Sequence, residues 1–125
     1  MEIRNYTPHP VHIYKDAEFD PSIRKYRGGT KIGTFPSVGM LSAKMAEKTV
    51  SVREDGIVLK RTEIVGCDEY PVHKLNESDT YLIVSQLYLS AAKLMGWDTS
   101  HLLTIGGAVV DEAGRTIGAA FLTMN

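Results

Sequence analysis

Arg115 follows Ala113-Gly114, at the end of a stretch, Asp111–Gly114, that reads as a tight turn between two apolar strands. A guanidinium fork held at a rigid turn suits bidentate capture of a phosphate. Pairing with Asp111 or Glu112 is its competing use. Arg53 and Arg61 flank a second turn, Asp55-Gly56. They either add charge to a shared pocket or pair across strands with Glu54 and Glu63. Tyr88 and Trp97 sit at opposite ends of one helical stretch, and an aromatic face stacks a purine for ~1–3 kcal/mol per base. Trp97 reads as a core aromatic with a polar tip. Tyr88, at the margin of the expected buried stripe, is the better stacking candidate. Asp98 can accept from a ribose hydroxyl or an adenine amine, or serve as the turn residue of Asp-Thr-Ser. Arg24, Lys25, Arg27 and Lys31, with Tyr26 interleaved, form the most basic stretch. Arg24 and Arg27 are candidates for a second phosphate-contacting site; a solvated loop is the other reading.

Other chemistries lack their residues. His9, His12, His73 and His101 show no zinc-helix spacing, and a single cysteine supplies no thiolate cluster. No Gly-x-Ser-x-Gly elbow occurs, and Gly28-Gly29-Thr30-Lys31 has the wrong order for a phosphate loop. Cys67 and His73 make a conceivable nucleophile pair. Asp68 and Glu69 oppose thiolate formation, so Cys67 reads as a small apolar residue. No metal, no cofactor and no catalytic group is expected.

These groups need a scaffold. Ile3, Val11 and Ile13 suggest strand broken by Pro8 and Pro10. Lys15–Gly33 reads as a long polar loop with strand character near Ile32. Met40–Lys48, with Leu41, Ala43, Met45 and Ala46, has the composition of a helix. Thr49–Arg53 alternates like a strand, Asp55-Gly56 turns the chain, and Ile57–Val65 returns. Gly66–Asp79 reads as a loop, a length at which loops are often functional. Tyr81–Val84 is an apolar strand. Ser85 caps a helix over Gln86–Met95, which Gly96 ends, with Leu87, Ala91, Leu94 and Met95 as its buried stripe. Leu102–Ile105, Ala108–Val110 and Thr116–Leu122 are strands. The expected fold class is α+β: a mostly antiparallel sheet or open barrel with one main α-helix.

At 125 residues the chain fits one domain, 1–125, with one core. A formal net charge of −1 gives no basis for sequence-independent DNA binding. No apolar run approaches the ~20 residues that span a bilayer. The N-terminus lacks the basic and apolar regions of a signal peptide. With one cysteine, these features point to the cytoplasm.

Asn5-Tyr-Thr-Pro-His9 leading to Val-His-Ile-Tyr14, then Tyr81-Leu-Ile-Val-Ser85, then Val110-Asp-Glu-Ala-Gly-Arg-Thr-Ile-Gly118 resembles a family of small phage proteins, the Thoeris anti-defense proteins of the first type. The likeness covers both ends of the chain and is poor in the middle. Family members are non-enzymatic sponges. They bind cyclic ADP-ribose isomers made by bacterial TIR-domain enzymes, take cyclic oligonucleotides at separate sites, and assemble as dimers or higher oligomers. The resemblance implies a single nucleotide-binding domain acting in the host bacterial cell. Tyr88 would stack the base, Asp98 would read polar groups, and Arg115 would hold the pyrophosphate. Arg53 or Arg61 would add a phosphate contact, and Arg24 and Arg27 would serve the second site. A phage structural or assembly protein with no small ligand is the alternative.

Overall fold

The structure is a computed structural model that describes residues 1–71, 75 and 77–125. Among these residues ten strands and one main helix follow in order: β1 Glu2–Asn5, β2 Val11–Lys15, β3 Glu18–Asp20, β4 Lys25–Arg27, β5 Thr30–Phe35, β6 Ala43–Val52, β7 Val58–Cys67, β8 Thr80–Ile83, α1 Gln86–Leu94, β9 Leu102–Val110 and β10 Thr116–Met124. The protein is mostly β, and its main sheet is nearly closed into a barrel with one helix packed on it, as the apolar patterning leads one to expect.

Six strands make the barrel, in the order β1-β8-β9-β10-β2-β5. The β9–β10 and β2–β5 pairs are antiparallel, while β1–β8, β8–β9 and β10–β2 are parallel. The ends of the path meet at a bridge between Asn5 and Ser37. Asn5 is buried and does the stitching. Its amide donates to the carbonyls of His9 at 2.8 Å and Phe35 at 2.9 Å, and its oxygen accepts from the Thr7 backbone and hydroxyl. Every polar group that Asn5 brings inside is therefore satisfied.

Alternation along the strands divides the apolar residues. Val11, Ile83 and Leu103 pack together with Ile3, Ile13, Phe35, Tyr81 and Leu122, drawn from the six barrel strands. Leu82, Val84 and Leu102 face the other way, onto Tyr88, Leu89, Ala91 and Ala92 of α1 and onto Cys67, Tyr70 and Leu75. Period-2 patterning thus gives β8 two buried faces, which is why Tyr81–Val84 reads as a continuous apolar run.

Ser85 caps α1 as expected, its hydroxyl accepting from the Tyr88 backbone at 3.0 Å. The buried stripe differs from expectation. Tyr88, Leu89, Ala91 and Ala92 are buried, whereas Leu87, Leu94 and Met95 are exposed. The helix lies closest against β7, with β6 and β9 beside it, and its small alanines permit a close approach where bulkier residues would not.

Two segments take other forms than composition suggests. Met40–Lys48 is not helical: from Ala43 it is strand β6, paired antiparallel with β7. Pairing along ten residues outweighs the fractions of a kcal/mol by which alanine, methionine and lysine favour helix. The supposed loop Lys15–Gly33 carries β3, β4 and the start of β5. β4 is recruited by β9, with Tyr26 beside Val109 and Arg27 beside Val110. Gly106-Gly107 does not separate two strands; it lies inside β9, opposite Phe121.

Candidate functional site

The end of α1 builds one wall of a cleft. Gly96 adopts φ +77°, and the backbone bonds Gly96 N–H to Lys93 C=O and Trp97 N–H to Ala92 C=O close a Schellman turn, both at 3.0 Å. That turn presents the Trp97 ring edge-on to Tyr70, centroids 5.7 Å apart. Tyr70 is buried and sits edge-on to Tyr88 on its other side, at 6.2 Å. The Tyr70 hydroxyl donates to the carbonyl of Asp98. Glu69, Tyr70, Trp97 and Asp98 line a cleft of about 420 Å³. That volume falls within the ~300–1,000 Å³ usual for small-molecule sites.

The electrostatics are acidic. Asp98 is held below the usual carboxylate range by the Ser100 backbone N–H, which it accepts at 2.9 Å, with the Ser100 hydroxyl and His101 adding to the effect. Burial, then Asp98, pushes the Tyr70 phenol up to about 12. Tyr70 therefore stays a neutral donor, and the rim carries the carboxylates of Glu69 and Asp98. Such a site offers the half-buried Trp97 ring as an aromatic wall and acceptors for hydroxyl or amine donors. A second cleft of about 400 Å³, lined by residues of β1 and by Phe35, Pro36 and Val38, holds Arg4 already engaged by Glu2 at 3.1 Å.

Of the residues singled out from sequence, Asp98 lines the cleft. Tyr88 does not. Its ring is wholly buried, its hydroxyl donates to Asp68 C=O at 2.6 Å, and burial raises its pKa. A ring enclosed on all sides has no face to give a ligand. Arg115 does not share the cleft either. It sits at the β9–β10 turn, at the far end of a strand that runs away from Asp98, roughly 25 Å at ~3.3 Å per residue. There its Nε lies 3.1 Å from the Asp111 carboxylate, the pairing use of this arginine. Arg53 is at the β6–β7 turn, 3.4 Å from Asp55. Arg61 lies midway along β7, opposite Lys48. Arg24 occupies the β3–β4 turn with φ +55°.

Arg27 is the surprise. Its Nε bonds Asp20 at 3.2 Å, and its Nη1 donates to Asp111 C=O at 3.4 Å. Two arginines assigned to separate sites, Arg27 and Arg115, thus meet around Asp111. The parallel pairing of β4 with β9 brings them together, a long-range contact without a local signature. Sequence reasoning also missed Tyr70, and Trp97 as a cleft wall. The available signal was the long Gly66–Asp79 loop with its Tyr70-Pro71.

No family model, curated protein or solved structure matches this chain.

Cys67 is buried, and burial together with Asp68 raises its thiol pKa. His12 bonds Thr34 at 2.8 Å, and His101 stacks on Tyr81 with centroids 4.7 Å apart. His73 lies outside the described residues, so the Cys67/His73 pairing does too. Among the described residues no helix is long and apolar enough to cross a membrane.

Proposed function

We propose that this chain is a phage-encoded anti-defense protein that binds and sequesters cyclic ADP-ribose-type immune signalling nucleotides without cleaving them, in the cytoplasm of the host bacterium. The reading starts from the resemblance at both ends of the chain. The single observation that supports it is the cleft with Trp97 as its aromatic wall and Asp98 on its rim. An aromatic wall takes a base, and a carboxylate beside it takes ribose hydroxyls or the adenine amine. The acidic rim directs the pyrophosphate outward, away from Glu69 and Asp98. The Arg27–Arg115 pair around Asp111 is the better place for a second anionic ligand, such as a cyclic oligonucleotide.

Mutagenesis with ligand binding tests this. Trp97→Ala is expected to weaken cyclic ADP-ribose binding about 10-fold or more, in line with ~1–3 kcal/mol of stacking. Arg115→Ala should leave that binding unchanged. Equal loss in both variants, or in neither, would count against the cleft.

A phage structural or assembly protein is the second reading, and one observation favours it. Every residue from Lys44 to Glu63 is exposed, on a ribbon that stands clear of the barrel. Co-purification with virion components, with no thermal shift from any nucleotide, would select it.

A further inference from the structure

We infer that the β6–β7 ribbon is a dimerisation arm, and that two copies join through antiparallel pairing of their β7 edges about a two-fold axis at Thr62. The inference stands on the ribbon alone and goes beyond the ligand reading.

A two-stranded ribbon is marginal in water unless something covers it. This one exposes twenty consecutive residues, Lys44 to Glu63. Val50, Val52, Ile57, Val58 and Leu59 are each between 45% and 62% exposed. Strands buried on neither face do not gain the apolar burial that normally stabilises them. A stable protein interface uses about 20–30 residues a side, the scale of this arm. Among the described residues β7 pairs only with β6, which leaves its outer edge open.

The charges choose the occupant and the register. Within the chain, Lys48 lies directly opposite Arg61, a like-charged pair that destabilises the ribbon. Among the described residues neither Arg61 nor Glu63 has an ion-pair partner. In a two-fold antiparallel pairing, opposed side chains share a face, so the axis must pass through one residue's position. Centring on Lys60, Arg61 or Glu63 sets each charge against its own copy. Centring on Thr62 sets Arg61 opposite Glu63 of the second copy, twice, within the regular stretch of β7 that ends at Ile64. The β6 edge has no such match: centres at Ala46, Glu47 and Lys48 each oppose like charges.

Sedimentation equilibrium of the full chain, without nucleotide, tests the arm independently of any ligand. A mass twice that of one chain is expected. Arg61→Glu and Glu63→Arg should each give monomers, and the double variant R61E/E63R should restore the dimer. Arg61→Glu relieves the repulsion with Lys48 inside the chain, so loss of the dimer in that variant is not loss of the fold. Thr62→Cys should cross-link to itself through a short thiol-reactive linker, while Ser51→Cys on the far strand should not. A monomer at all concentrations, or a dimer indifferent to both charge reversals, would overturn the inference.

Discussion

The Tyr88 hydroxyl donates to the backbone carbonyl of Asp68 at 2.6 Å, joining the buried face of α1 to the root of the β6–β7 ribbon. Asp68 completes the joint. Its carboxylate accepts from Ser42 N–H at 2.7 Å, and its own N–H donates to Ser42 C=O at 3.0 Å. One aspartate thus ties helix, ribbon and cleft segment together. Tyr88→Phe keeps the ring and leaves a buried carbonyl unsatisfied. It should cost about 1–3 kcal/mol in equilibrium unfolding. Because the ring is enclosed, the variant should still bind nucleotide at temperatures where it is folded.

Alkaline pH should weaken the fold by a known route. The Tyr70 phenol has its pKa raised from the ordinary 10 to about 12, chiefly by burial. In the unfolded chain the proton leaves near 10, while the folded chain holds it. The contribution is therefore fully present below pH 10, falls as pH rises from 10, and is gone by about 12. Two units correspond to about 2–3 kcal/mol. Tyr88 acts in the same direction. Denaturation midpoints measured from pH 8 to 11 should fall above pH 10, and Tyr70→Phe should flatten that fall. An unchanged profile in the variant would assign the alkaline loss elsewhere.

Gly118 marks a close approach between β10 and β2. A Cβ there would lie 2.5 Å from the His12 carbonyl oxygen and 2.6 Å from the Tyr14 ring. The carbonyl belongs to backbone and cannot move aside without disturbing the parallel β10–β2 pair, which meets at Ala119 and Ile13. Gly118→Ala should cost about 1–3 kcal/mol. Thermal unfolding measures it; a variant as stable as the parent would show that the two strands separate easily.

The β9–β10 turn separates two kinds of polar contact. The Asp111 carboxylate accepts from the backbone of Ala113 and of Arg115, each at 2.9 Å, and these bonds hold its pKa below the usual range. The Arg115 side chain is 81% exposed, and an exposed ion pair is worth about 0–1 kcal/mol. Asp111→Ala should therefore destabilise more than Arg115→Ala. The Asp111 contribution is present above the ordinary carboxylate pKa and is lost as pH falls through its lowered value. Comparing the two variants at neutral pH and in acid checks both points.

What was legible in the sequence is what local chemistry fixes. Ser85 and Gly96 bound α1, Asp55-Gly56 and Asp111–Gly114 turn their hairpins, and the apolar run at Tyr81 forms a strand, because each depends on neighbours a few residues away. The rest depends on distant partners. Ala43–Lys48 carries good helix formers, and only pairing with Val58–Cys67 makes it strand. The phase of α1 slipped because Leu87 and Leu94 outrank two alanines in hydrophobicity, while the sheet beneath selects for small residues. The site was read in part. Asp98 lines the cleft, but Tyr88, expected at the margin of the buried stripe, is wholly enclosed, and Arg115 and Arg27, expected at separate sites, meet because β4 pairs with β9. Tyr70 gave no periodic signal, since a loop residue becomes a cleft wall only when the helix end arrives beside it.

The central claim is sequestration, and native mass spectrometry of the purified protein tests it most directly. The protein is incubated with the product mixture of an activated TIR-domain enzyme and weighed before and after heating. The account predicts a mass gain of one cyclic ADP-ribose per chain, lost in Trp97→Ala and kept in Arg115→Ala, with the nucleotide released chemically intact by heat. No adduct with that mixture, or recovery of a cleaved nucleotide, would contradict it.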